Sequence, residues 1–259
     1  MPSIDLAAVR SEIEQEREWR EKELRSLKNL ITQIRATEDQ NVTRKALVVM
    51  LYAHFEGLTK ALFTIYVNAL NGLEIRISSA HSALAAAALA DLFKALRNPN
   101  SKCKVFQHTL PQDVKLHRYA RDREFLERTA NFGAKALKIE PDLVVDTESN
   151  LKPVVLRKIL FQLGLDPDVV APWEGHVNQL IKRRNDVAHG TARDGIDVKD
   201  YDALEKAVKD VVDALVAALT TALTSQAYLA GTSLGNHGLV DGGGAATTSR
   251  PATSAGSGP

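Results

Sequence analysis

A single cysteine, Cys103, leaves this 259-residue chain without an internal disulfide. No Cys/His cluster has zinc-like spacing either, so neither a structural metal nor a cofactor is expected. An excess of one charge is also missing. Lys and Arg number 33 against 32 Asp and Glu, so no global positive field announces a nucleic-acid partner, and any RNA contact must come from a local patch. The chain has no G-x-x-x-x-G-K loop, which argues against a P-loop NTPase. The longest apolar run, Ala83 to Ala90, is alanine-rich and far shorter than a membrane span. The opening Met-Pro-Ser-Ile-Asp soon becomes densely charged and lacks the apolar core of a signal peptide. These absences lead us to expect a soluble cytoplasmic protein in a reducing compartment, with no membrane partner.

What is present is a helical pattern. Hydrophobic residues make up 44% of the chain, enough for a sizeable core. From Ile4 to about Ala36, Leu6, Val9, Ile13, Leu24, Leu27, Ile31 and Ile34 recur at three-and-four spacing among mixed charges, which predicts a long amphipathic helix with a solvated charged face. Asp39 or Asn41 is placed to cap a second, core helix that carries Leu47, Leu51, Phe55, Leu58 and Leu62 and ends near Gly72. A connector with some strand propensity follows over residues 73–80, then a helix from Ala83 to Leu96. Residues 102–146 read as an insert of short helices among loops. Its Lys115, Arg118, Arg121, Arg123 and Arg128 make either a phosphate-facing surface or, more commonly for such a run, a solvated helix face. His108 and His117 on the insert read as surface histidines. Ser149 or Asn150 is placed to cap a helix with Pro153 in its first turn, Pro172 to open the next helix, and Asp197 or Asp200 to precede a last one from about Tyr201 to Tyr228. The expected architecture is all-α: a helical domain over residues 1–229 and a disordered tail over 230–259, where Gly, Ser, Thr, Ala and Pro replace any apolar period.

The stretch from Leu180 to Gly190 stands apart. At roughly 100° per residue, Trp173, Val177, Leu180, Ile181, Val187 and Ala188 fall on one side of a helix, and Arg184 lies near the centre of that apolar stripe. A helix built only to pack would carry leucine there. A guanidinium so placed is usually paired, at an interface, or facing an anion. His189 then closes the helix, and Gly190 suits the left-handed turn that ends it.

An arginine, Asn185, three residues, a histidine and a glycine resemble the R-x(4–6)-H motif of the HEPN superfamily, most closely its MAE-type HEPN-like nucleases. A second segment, Leu51-Tyr52-Ala53-His54-Phe55-Glu56-Gly57-Leu58-Thr59-Lys60, is similar to the aromatic-Glu-Gly run that precedes a lysine in an early helix of that branch. The resemblance implies an all-helical bundle acting as a metal-independent endoribonuclease, with two motif copies meeting in a homodimer. The chemistry suits the residues. RNA is cut without a metal when its own 2′-hydroxyl attacks the adjacent phosphorus. Histidine suits the proton transfers, and arginine's planar fork suits the developing phosphorane charge. Residues five apart on a helix differ by roughly 140° in direction, so Arg184 and His189 of one chain do not naturally converge, whereas a two-fold pair sets each arginine beside the other motif.

Asn185 shares a face with His189 and is placed to orient the imidazole or bind a phosphate oxygen. Glu56 is a carboxylate placed to anchor Arg184, or else an ordinary i,i+4 partner of Lys60. Tyr52 and His54 read as core-edge residues, Arg183 as solvated or salt-bridged, and His176 as structural. Some HEPN toxins have a tyrosine two residues after the histidine that a partner enzyme modifies. Thr191 stands there in this chain, which leaves a different antitoxin or phage-triggered activation open. Two function classes therefore follow: a defence or toxin-antitoxin ribonuclease, or a silent HEPN-like module that binds nucleotide, RNA or a protein partner.

Overall fold

The structure, a computed structural model, describes residues 3–98, 100 and 114–232. The expectations for Cys103, His108 and residues 233–259 lie outside these. The described chain is all-α, with two isolated β-bridges, Arg76 to Ala136 and Ala80 to Leu229, as its strand-like contacts.

Helix α1 spans Leu6–Thr32, and Asp5 caps it by accepting from the N–H groups of Ala7 and Ala8 at 3.0 and 2.9 Å. Its sticky edge buries Ile13, Leu24 and Ile31 while most of its charges stay outside. Helix α2, Thr37–Asn71, lies at the centre of the bundle and buries residues on nearly every side, among them Val48, Leu62, Phe63, Val67 and Leu70. Among the described helices it is the one long and apolar enough to cross a membrane, and 56% of that apolar window is buried inside the protein, as suits a core helix. Its start corrects the sequence expectation. Ala36 occupies the cap position without a side-chain bond, and Asp39 and Asn41 lie inside the first turns. Asn41 is otherwise engaged: its amide oxygen accepts from Arg44 at 2.5 Å, and its carbonyl accepts from the Ile196 N–H at 2.8 Å.

The helix predicted from Ala83 to Leu96 is two, α3 (Ser82–Ala88) and α4 (Ala90–Arg97), broken at Leu89, whose N–H is shared by the carbonyls of Ala85 and Ala86. Helix α5, Val114–Thr129, is one continuous helix where short pieces were expected, and Phe125 meets Phe93 of α4 with ring centroids 5.7 Å apart. His117, expected at the surface, is 6% exposed. The chain rejoins the core at Leu137 and Ile139, where the Asn71 side chain donates to the Ile139 carbonyl and accepts from its N–H, both at 2.8 Å. Helix α6 (Pro141–Val144) leads to α7 (Pro153–Gln162), which begins with Pro153 as expected and is followed by Gly164 at φ +70°. Lys152 takes its cap position, so neither Ser149 nor Asn150 caps it. A 3-10 turn, Ala171–Trp173, runs into α8 (Glu174–Ala188). Asp197 caps α9 (Val198–Thr224), accepting from the Asp200 N–H at 2.7 Å, and α9 buries Leu204, Val211, Val212, Leu215, Leu219 and Leu223 as the spacing predicts.

The contact between α1 and α2 holds a titratable group. The His54 ring meets Trp19 edge-on at 5.3 Å, and its Nε2 lies 2.8 Å from a Glu23 carboxylate oxygen. Burial pushes this imidazole below its ordinary value, Glu23 pulls it back in part, and Arg20 adds to the fall. The folded chain thus binds this proton less readily than the unfolded one, so stability rises with pH. The contribution is complete above the unfolded value of about 6.5 and is lost as pH falls below it. Urea midpoints measured from pH 8 down to pH 5 should drop more steeply for the native chain than for a His54→Gln variant, and equal slopes would refute this assignment.

Candidate functional site

The side chains singled out by the sequence gather where α8 crosses α2. Leu180 and Ile181 are buried, and Arg184 follows them by four and three residues, so the helical period aims it at the same neighbour. Arg184 is half-buried, with its guanidinium carbon 4.8 Å from the centroid of the Tyr52 ring. Tyr52 itself is 1% exposed. A cation on an aromatic face is held by the ring's quadrupole with less desolvation than a buried ion pair demands. Arg184 Nη1 also donates to Asn185 Oδ1 at 2.9 Å. Among the described residues it makes no ion pair with a carboxylate.

Two sequence expectations are corrected here. Glu56 does not anchor Arg184 through an ion pair; it faces Tyr52, where its charge helps to raise the phenol. Nor does it pair with Lys60, which reaches Asp142 at 3.3 Å. The Asn185 side-chain oxygen serves the neighbouring guanidinium rather than the imidazole. Arg183 pairs with Asp200 at 3.4 Å, and His176 is exposed. Tyr52 and His54, read as edge residues, are both buried. Toward the end of the expected apolar stripe, Val187 is half-buried and Ala188 exposed.

His189 occupies the C-cap of α8 and is exposed. Its N–H donates to the Asn185 carbonyl at 2.9 Å, and no described group hydrogen-bonds its ring. Gly190 follows at φ +70° and donates to the Val187 carbonyl, while Thr191 N–H returns to the Asp186 carbonyl at 2.9 Å. That pair of bonds is a Schellman closure, and it explains why glycine follows the histidine. Lys45 of α2 braces the next residues, its Nζ donating to the Ala192 carbonyl at 2.9 Å. The histidine therefore stands on a fixed helix end with a free ring.

A Cβ on Gly57 would lie 3.4 Å from the guanidinium of Arg20, which α1 lays against this point of α2. The sequence reading missed Asn150 and Leu151. The Leu151 N–H donates to the Tyr52 hydroxyl at 2.8 Å, and that hydroxyl donates to Asn150 Oδ1 at 3.1 Å. Burial pushes the Tyr52 phenol up to about 12; the Leu151 N–H opposes this, Glu56 adds to it, and the Arg184 charge opposes it. Tyr52 is thus a neutral ring beneath the cation. No group of three or more His, Cys, Asp or Glu among the described residues is placed to hold a metal ion.

A model of the HEPN_MAE_28990-like HEPN family matches residues 9–228. No curated protein and no solved structure matches the chain. The matched span contains every site residue named above.

Nothing stands within 4 Å of where a Cβ on Gly190 would lie, so alanine there meets only the backbone penalty of its left-handed conformation. Gly190→Ala should lower unfolding stability by about 1 kcal/mol. Chemical denaturation measures this, and an unchanged midpoint would show that the turn is not held.

Proposed function

This chain belongs to the HEPN_MAE_28990-like HEPN family, and from that premise we propose that it is a metal-independent endoribonuclease whose active site is completed by a second copy. The observation that carries the reading is Arg184, a half-buried guanidinium held on an aromatic face and without a carboxylate partner among the described residues. A structural arginine at that depth is ordinarily neutralised by an acid. Arg44, buried without an acid, fills its fork with the Asn41, Gln40 and Ile196 oxygens. Among the described residues Arg184, by contrast, gives one N–H to Asn185, and the rest of its fork is kept for a phosphate.

In the reaction, the 2′-hydroxyl oxygen bonds to the adjacent phosphorus as the 5′-oxygen leaves, giving a cyclic phosphate and a 5′-hydroxyl end. One proton must leave the nucleophile and one must reach the leaving oxygen. His189, exposed and with no described group on its ring, supplies the proton transfers. Arg184 stabilises the added charge on the phosphorane oxygens, and Asn185 fixes the fork of Arg184 through their shared hydrogen bond. Residues five apart point roughly 140° away from each other, so one chain does not bring both groups to a single phosphate. A two-fold homodimer lets His189 of one copy meet Arg184 of the other. Burial, with Glu56 adding to it, holds Tyr52 neutral beneath the arginine, and Arg183, tied to Asp200, stays at the margin. A cytoplasmic role in bacterial defence or in a toxin-antitoxin pair follows from this activity, with an antitoxin or activating protein as the partner that restrains it.

A second reading has its own support. The His189 ring lacks any described group to orient it, as in a module that binds nucleotide, RNA or protein without cutting.

Incubating the protein with total RNA in EDTA separates the two. Cleavage by the native chain that leaves cyclic-phosphate ends, and that falls at least about 100-fold in His189→Ala and Arg184→Ala, is the result expected of the nuclease. RNA left intact by all three proteins would overturn the nuclease reading and favour the binding module instead.

A further inference from the structure

Two adjacent residues that are not glycine, Glu148 and Ser149, have left-handed backbones at φ 51° and 59°. Such conformations are uncommon singly and persist only where the surroundings hold them. This turn is held on both sides. The Asp146 carboxylate accepts from the Glu148 N–H at 2.8 Å, the Glu148 carboxylate takes Lys158 of α7 at 2.6 Å, and the Asn150 N–H returns to the Thr147 carbonyl at 3.0 Å. Its product is the next two residues. Asn150 presents its amide oxygen, and the fully buried Leu151 presents its N–H, to a single atom of another helix, the Tyr52 hydroxyl.

A buried tyrosine needs one partner for its hydroxyl, and a single N–H would satisfy it. Here the hydroxyl both accepts and donates, which fixes its direction and with it the orientation of the ring about the α2 backbone. On the opposite side of the contact, that ring is the surface on which the Arg184 guanidinium lies. The strained turn, the hydroxyl, the ring and the cation form one continuous chain of contacts from the α6 to α7 connection to the motif helix.

We infer that Tyr52 and Asn150 are positioning residues for Arg184: the strained turn at Glu148 and Ser149 clamps the tyrosine so that its face presents the guanidinium for phosphate. This rests on the ribonuclease reading for its consequence but not for its geometry. Neither residue touches the reacting atoms. Each acts through the arginine, by reducing the orientations Arg184 samples before RNA arrives.

The test combines spectra and kinetics. Full-length protein labelled with 15N arginine should show the Arg184 Nε–H resonance displaced upfield by the Tyr52 ring in the native chain. The shift should persist with broadening in Tyr52→Phe and Asn150→Ala, and collapse to the ordinary arginine position in Tyr52→Leu. On a mixed-sequence oligoribonucleotide in EDTA, kcat should fall by about threefold in Tyr52→Phe and in Asn150→Ala, and by about tenfold or more in Tyr52→Leu, with KM changing less. Because Tyr52→Phe already removes the bond to Asn150 together with the one from Leu151, the Tyr52→Phe/Asn150→Ala double variant should be no worse than Tyr52→Phe alone. A native-like Arg184 resonance in Tyr52→Leu, or additive losses in the double variant, would overturn the inference. If the native chain cuts no RNA, the ribonuclease reading falls, while the arginine spectra still decide whether the ring holds the cation. Should Tyr52→Leu fail to fold, the Phe and Ala variants and their double carry the test.

Discussion

The placement of one cation on one ring governs the rest of this molecule. A guanidinium in the middle of an apolar helix stripe has three ways to be tolerated: a carboxylate partner, solvent, or a polarisable face. Arg184 takes the third with some of the second, lying on Tyr52 and half open to water. An ion pair would have satisfied its charge and closed its fork. A ring attracts the cation from below and occupies none of its N–H donors, so the edge of the fork stays available. Among the described residues, only Nη1 is engaged, by Asn185. That difference, aromatic support in place of acidic neutralisation, separates an arginine that stabilises a fold from one that can receive an anion.

Helix α2 makes the arrangement possible because it serves different neighbours on different sides. Leu51, His54, Phe55 and Leu58 line a crevice of about 470 Å³ with α1 and α9, whereas Tyr52, one residue from the first of them, turns to α8. Adjacent residues on a helix diverge by roughly 100°, so a single core helix can pack a bundle on one side and present a platform on another.

The helices were legible from the sequence because burial imposes a period, and Ile13, Leu24 and Ile31 of α1 and the leucines of α9 obey it. The anomaly of Arg184 was legible for the same reason: a charge stands out only against a period. What supports it was not. Opposite charges are the usual partners, and Glu56 meets that expectation in type while its charge acts on Tyr52. The caps failed on a related ground. Asn41 and Asn150 are sound cap residues by local chemistry, but Arg44 draws the first and the Tyr52 hydroxyl, 98 positions away, draws the second. Side-chain amides have too many possible partners for local rules to choose among them, and distant competitors leave no trace in spacing. His117 was misread because a weakly periodic stretch gives no sign that a 16-residue helix packs there.

The ends of α8 carry the last step. Arg184 is fixed from below, and among the described residues His189 is fixed only through its backbone, by the closure at Gly190 and by Lys45 on the chain beyond. One group therefore arrives already aimed, and the other arrives at a known place with its ring free to turn. If both were to act on one phosphate within a single chain, the helix would have to bend by more than a third of a turn between them, and the hydrogen bonds from His189 to Asn185 and from Thr191 to Asp186 hold it straight to its end. Rigidity at that helix end is thus an argument for two copies. The more firmly each chain keeps its own arginine and histidine apart, the more the proposed chemistry depends on a partner to bring a histidine to each arginine.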